Sequence, residues 1–486
     1  MKPGAGARAR GRRQGGTFAV MFGLMLVALI GFFGLALDLS HMYARHTEMQ
    51  HLADGAALAA ALELDGTKAG AGRAAERAGE VVESNRFSFL QHAKWSDEAI
   101  SFAGAPDAPA SDWTPAAAVT DANAGALKFA RINTAWLDGN PGAVEILFMR
   151  AMSSALPETV QTGASAVAGR IGSQVGPLAV CAIDNVALRG VDRGVAGGAN
   201  SFELVEHGFR RGVGYNLLAL NPTGPLPLNF LINPVDFPGR PNDAANLAPA
   251  AARPYACSGT IHAPRVTGNN TLYVAAGFPT ALLDALNTRF GTDPAGNICD
   301  ATFAGPDANV RAYSGNDAAW MTPRPTLISA RSLTTAAPAR LLTVADAAGP
   351  ALTSTDYGVL WSFAKAVRYK ASSPDGVGTA FSRTNWPNLY PVSDGLASTN
   401  EVTLPYAKLF GQYYLKPTAP QVGLSNRRVL NVPLLSCPVA GAGATVLGIG
   451  KFMLTAPADA AVPALYAEFG GLVREASVSS TAALFK

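Results

Sequence analysis

The chain has 486 residues, of which 49% are hydrophobic and only 15% charged, with 50 glycines and 33 prolines. That length allows one large domain or two ordinary ones beside an anchor. The formal net charge is +3, but the first sixteen residues hold five of the 38 basic side chains and no acid, so the rest is close to neutral and a nucleic-acid-binding body is not supported.

Residues 1–16 form a basic tail, with Lys2, Arg8, Arg10, Arg12 and Arg13. The stretch Thr17 to Leu37, TFAVMFGLMLVALIGFFGLAL, then runs for 21 residues without a charge, through Phe18 and Leu24. As a helix it would be about 31 Å long, the thickness of a bilayer's hydrocarbon core. The basic flank holds the tail in the cytoplasm and sends the following chain across the membrane. A cleaved secretory signal is the competing reading. It fits less well, because the apolar run exceeds the usual signal core and Gly34-Leu35-Ala36 is a poor small-x-small cleavage site.

Beyond Leu37 the helix is expected to continue. Asp38 to Leu64 contains no proline and one glycine, Gly55, among good helix formers. Leu39, Met42, Tyr43, Met49, Leu52, Ala56 and Ala59/Ala60 recur at three- and four-residue steps and predict one apolar stripe. Ala53, Ala56, Ala57 and their small neighbours would let another element approach closely. Asp38, His41 and Arg45 share a face where the chain leaves the membrane, read as an interfacial charge cluster.

These residues carry a resemblance. The arginine-rich start, the apolar helix, then Asp38, Tyr43, Arg45, Gln50, and Ala53-Asp54 before Ala56-Ala57 and further alanines resemble the N-terminal signature of TadG-like proteins of the Tad (tight adherence) pilus assembly system. Met49 stands where the family usually has leucine, and Gly55 where it has alanine. Weaker likenesses to the same family lie at Pro177–Cys181, Tyr357–Trp361, Arg427–Leu430, Leu447–Phe452 and Glu468–Gly471. The resemblance implies a non-enzymatic inner-membrane protein with a periplasmic body and no cofactor. Its implied partners are the inner membrane and other Tad pilus-assembly proteins, the small anchored relatives first and the pilin as a further candidate. No nucleic acid and no small-molecule substrate is implied. Some family members carry a von Willebrand-type A domain with a metal-binding Asp-x-Ser-x-Ser. The corresponding stretch here, Asp184-Asn185-Val186-Ala187, lacks both serines, so no metal site is expected. Gly15-Gly16 ahead of the apolar run also resembles a type IV prepilin processing site, but the expected glutamate five residues on is Met21.

Residues 65–92 read as a second helix, and 106–115 as a proline-marked loop. Strands are expected at 143–151, 159–168, 177–184, 271–276, 428–435 and 444–454, with a closing segment at 466–473. Short helices are expected at 281–290 and 357–369. The first, membrane-proximal module should end near 172–176.

Catalytic patterns find little support. Ser362 and Lys365 match a bare Ser-x-x-Lys spacing without its companion motifs. Phosphate loops, Gly-x-Ser-x-Gly and His-Glu-x-x-His do not occur. His41, His46 and His51, five apart, fan around a helix and cannot share a metal. His207, near Glu203 and Glu206, reads as a surface residue. Asp293, Asp307 and Asp317 read as turn-shaping aspartates. Four cysteines lie beyond the anchor: Cys181, Cys257, Cys299 and Cys437. In an oxidising compartment they could pair in three ways. Pairing 257–299 is preferred because both lie in one loop-rich region, and 181–437 because each borders a buried strand.

The expectation is therefore an α+β protein: one transmembrane helix continuing as a long amphipathic helix, then a loop-rich mixed body. Its divisions are a tail at 1–16, the span at 17–37, a proximal module at 38–175 and a periplasmic domain at 176–486. No catalytic, cofactor or metal residues are assigned. The alternatives are a membrane-tethered periplasmic enzyme of another type, or a pilin-like subunit processed after Gly16.

Overall fold

The computed structural model describes the whole chain except residues 1–14, 88–90, 153–154, 224–225, 236–242, 264, 269–270, 294–297, 301–303, 314–342, 347–353, 391–402, 419–420, 479–481 and 486. Asp317 lies outside the described residues, as does nearly all of the basic tail.

Helix α1 spans Gly15–Glu63, 49 residues without a break, or about 74 Å at 1.5 Å per residue. Its first half is exposed, and its second half is packed on one side. Its last turn is closed from outside: Arg170 Nε donates to Ala61 O at 3.3 Å, and Arg170 Nη2 donates to Leu62 O. These are carbonyls that a helix end leaves unpaired. Helix α2 (Lys68–Ser84) folds back along α1. Thr67 caps it, its Oγ1 accepting from Gly70 N at 2.9 Å. It is shorter than the expected 65–92, because Asn85 turns its N–H and its side chain onto Val81 O and the chain leaves as the strand Arg86–Phe87.

α1 and α2 cover one face of a five-stranded antiparallel sheet. Its order is Ala482–Phe485, Ser165–Arg170, Phe129–Asn133, Ile100–Ala103, Thr114–Pro115. Alternation sorts the strands: Ile100, Phe102, Ala130, Ile132, Ala166 and Ala168 face the helices, while Ala103 and Phe129 pack with Trp113 on the other side. The outer strand on one edge comes from residues 482–485, which therefore belong to the layer packed on α1 and α2 together with residues before 175.

The distal body is built on a ring. Gly443–Leu454 pairs with Thr271–Ala276, which pairs with Phe230–Ile232, then Leu178–Cys181, then Val429–Leu435, which returns to Gly443–Leu454. Four of these pairings are antiparallel. The 178–181 and 429–435 pairing is parallel. Tyr466–Val473 and Gly214–Asn216 extend the ring outward. Ala179, Cys181, Ile232, Leu272, Val274, Leu435, Val446 and Ile449 form one buried cluster of the ring. A larger cluster, with Phe209, Tyr215, Trp361, Phe452 and Phe469, forms the second. Cys181–Cys437 and Cys257–Cys299 are bonded, with Cα–Cα distances of 5.7 and 5.6 Å.

Two further expected elements change type. Residues 357–369 are not helical: a 3-10 turn ends at Tyr357 and a strand begins at Val367. Gly358 and Trp361 have φ of 63° and 52°, in the left-handed region. The N–H groups of Ser362, Phe363 and Ala364 go to the Glu468 carboxylate at 2.7, 2.9 and 2.8 Å, which removes them from any helix ladder. The expected strand at 143–151 is a strand only over Ala143–Glu145, followed by helix α3, Leu147–Met152.

Candidate assembly surface on the N-terminal helix

α3 forms because α1 caps it. Asp38, only 2% exposed, accepts hydrogen bonds at Oδ2 from Phe148 N at 3.0 Å and Met149 N at 2.6 Å. These are first-turn amides of α3, and a carboxylate satisfies both their hydrogen bonds and the helix dipole. Phe148 rests on Gly34, where an added Cβ would come within 2.5 Å of the phenylalanine side chain. Only glycine admits this contact. It lies inside the apolar run, so the body reaches down to the level of the expected span.

Further along, Arg45 Nη1 donates to Pro141 O at 3.3 Å and lies 3.7 Å from Glu48. His46 Nδ1 is 3.3 Å from Thr162 Oγ1. Gln50 Nε2 donates to Asp54 Oδ1 at 2.7 Å and to Ser165 O at 3.4 Å. Above these, Met49, Ala53, Ala56, Ala57, Ala60 and Ala61 are fully buried against α2 and the sheet. Alanine is required there by proximity, since the facing sheet positions Ala130, Ala166 and Ala168 are small as well. Gly55 is not so constrained: an alanine methyl would sit 3.6 Å from Val81, in ordinary contact.

The signature residues therefore divide into two sets. Asp38, Arg45, Gln50, Ala53, Ala56 and Ala57 dock the helix onto the chain's own proximal layer. Tyr43 is 76% exposed, and Leu39, one turn before it, is exposed too. The predicted apolar stripe includes both, and the structure places them outside the packed face. The packed side of the helix runs instead through Gly34, Asp38, Met42, Arg45 and Met49. Within the span, Phe18, Leu24 and Leu37 are exposed on a helix long and apolar enough to cross a membrane. Thr17 lies in its first turn.

Residues 16–63 match the family model described as putative Flp pilus-assembly TadE/G-like. This helix is similar to TadE/G-like segments. The match covers the helix from the start of the apolar run to its last residue, and it connects the chain to the Tad/Flp pilus system. No curated protein and no solved structure matches the chain.

Outside the TadE/G-like segment, the residues considered for chemistry are held by their neighbours. Ser362 is fully buried and its hydroxyl donates to the Glu468 carboxylate, while Lys365 Nζ lies 5.7 Å from the Trp361 ring centre. Asp184 accepts from Val186 N at 2.9 Å and lies 3.4 Å from Arg189 Nε. Asp293 and Asp307 accept from Ile298 N and Asn309 N, as turn-shaping aspartates do. Within the TadE/G-like segment His41, His46 and His51 are exposed, and no cluster of metal-ligating side chains occurs among the described residues. His207 departs from its expected surface position: it is buried, with a φ of 46° and its Nδ1 3.1 Å from Asp184 O. Glu203 and Glu206 are buried as well, paired with Arg193, Arg210 and Arg211. Nothing in their local sequence distinguishes them from solvated acids, because their partners come from tertiary folding.

Replacing Asp38 by alanine should leave the Phe148 and Met149 amides without their acceptor, at a cost of about 1–3 kcal/mol. Hydrogen exchange of the full chain should then show faster exchange at these two amides, with α2 unchanged. Equal exchange in both proteins would refute the capping role.

Proposed function

We propose that the chain is a non-enzymatic structural component of Tad/Flp-type pilus assembly. One N-terminal span anchors it in the inner membrane, and its body stands in the periplasm. The carrying observation is the division of the TadE/G-like segment: most of its signature docks the chain's own body, and the Leu39–Tyr43 face stays open. Exposed apolar side chains along the first half of α1 favour lipid as their surroundings, because a lone helix satisfies its own backbone there. The basic tail favours a cytoplasmic N-terminus. Two disulfides suit an oxidising compartment. In this reading the stem is rigid because 49 residues form one helix. The body holds it upright through Asp38, Arg45 and Gln50, and the open face receives other anchored pilus-assembly proteins.

Deleting the gene should abolish surface pili and adherence, and the wild-type gene should restore both. Tyr43→Asp should accumulate normally yet restore neither, since Tyr43 is not needed for packing inside the chain. Unchanged piliation in the deletion strain would defeat the proposal.

A further inference from the structure

A cleft of ≈ 250 Å³ opens where the end of helix α4 (Pro249–Ser258) meets the start of Val429–Leu435 and residues 174–176. Its lining includes two arginines, Arg289 and Arg427, together with the neutral polar residues Ser258, Thr260, Asn426 and Asn431. No carboxylate lines it among the described residues.

Arg289 is 1% exposed. Its Nη1 donates to Ala285 O at 3.1 Å and its Nη2 to Ala256 O at 2.9 Å, while its buried Nε has no hydrogen-bond partner among the described residues. Arg427 donates to Gly305 O at 3.2 Å, Ser258 O at 3.0 Å and Cys257 O at 2.7 Å. Every one of these acceptors is a neutral carbonyl. Those at the end of α4 carry a partial negative charge, which offsets two full positive charges only in part.

Several other enclosed arginines meet acids, although Arg170 donates to the Ala61 and Leu62 carbonyls. Arg193 and Arg210 share Glu203, and Arg211 has Glu206. Arg428 has neutral acceptors at all three nitrogens, as Arg427 does, but it is fully enclosed. Arg289 and Arg427 border an open cleft instead. The acid that acts on both from a distance, Asp307, is engaged by Tyr406 Oη at 2.7 Å, Arg428 N at 2.8 Å and Asn309 N at 2.7 Å. Burial, with the Arg427 charge second, pushes Arg289 down to about 9, the direction expected of a cation that lacks a counter-charge.

We infer that this cleft binds a compact oxyanion, the carboxylate or phosphate group of a small ligand, between Arg427 and Arg289. The Cys257–Cys299 bond lies beside the Cys257 carbonyl to which Arg427 donates, so the pair is set before the ligand arrives. A bidentate guanidinium contact suits either oxyanion.

The test uses the full chain in detergent, with inorganic phosphate and acetate each titrated against chloride at equal ionic strength. Saturable rises in the unfolding midpoint are expected with one or both, and the responding anion tells which group the cleft takes. Arg427→Gln should abolish the response. Gln174→Glu places a carboxylate on the exposed rim without removing a guanidinium, and should weaken binding about tenfold by like-charge repulsion. If Arg427→Gln does not fold, Gln174→Glu decides alone. No response beyond chloride, or an undiminished response in the folded variants, would overturn the inference.

Discussion

Replacing Glu203 by alanine is expected to lower the unfolding free energy by about 3–5 kcal/mol. Glu203 is fully buried, with Arg193 Nε at 2.6 Å and Arg210 Nε at 3.0 Å. Arg210 is itself buried. It donates to Val344 O and Leu389 O, and its guanidinium lies 4.8 Å from the Tyr390 ring centre and 5.6 Å from that of Tyr357. Removing the acid strands two cations in a low-dielectric setting, where neither can recover its hydration. Glu203→Gln should lose less, because its amide oxygen still accepts one N–H. Urea midpoints of the three proteins provide the comparison, and a Glu203→Ala midpoint equal to wild type would contradict this account.

The same group gives a pH dependence with a definite sign. Burial opposes ionisation of Glu203, but the Arg210 and Arg193 charges outweigh it and hold the carboxyl below its ordinary value. A lowered folded-state value stabilises above the unfolded value, about 4.3 for glutamate. That contribution disappears as pH falls through the folded value. Glu203→Gln should therefore be less stable than wild type at neutral pH, and the gap between them should close under acid.

Breaking Cys181–Cys437 is the second large effect. It joins residues 256 apart in sequence and ties the parallel pair of the distal ring. Cross-linking so long a loop removes much of the unfolded chain's freedom, worth about 3–5 kcal/mol in the chain-entropy view. Cys257–Cys299, with a separation of 42, should give a similar but smaller loss. The paired Cys181→Ser/Cys437→Ser variant, compared with wild type by urea unfolding, should show this drop in midpoint. The Cys257→Ser/Cys299→Ser variant should fall between them. A Cys181→Ser/Cys437→Ser variant as stable as wild type would show that the ring holds without its staple.

Local chemistry made part of this fold legible. An uninterrupted run of helix formers specifies α1, and short, mostly apolar runs rich in branched and aromatic residues mark Thr271–Ala276 and Val429–Leu435. What depends on distant partners was not legible. The segment 357–369 has helical spacing, yet Glu468, more than a hundred residues later, takes its amides. α3 exists because Asp38, 110 residues earlier, caps it. The return of residues 482–485 to the proximal sheet has no marker in the chain. In the assembly surface, the alanine run announced close packing, but only the three-dimensional arrangement separates Asp38 and Arg45, which dock the body, from Tyr43, which faces outward.

The most direct test of the central claim is a pair of fusions behind Lys486, one to alkaline phosphatase, which is active only in the periplasm, and one to a fluorescent protein that matures only in the cytoplasm. One membrane crossing by α1 predicts an active phosphatase, a dark fluorescent fusion, and both in the membrane fraction. A bright fluorescent fusion with inactive phosphatase, or a fusion recovered free of membrane, would contradict the account.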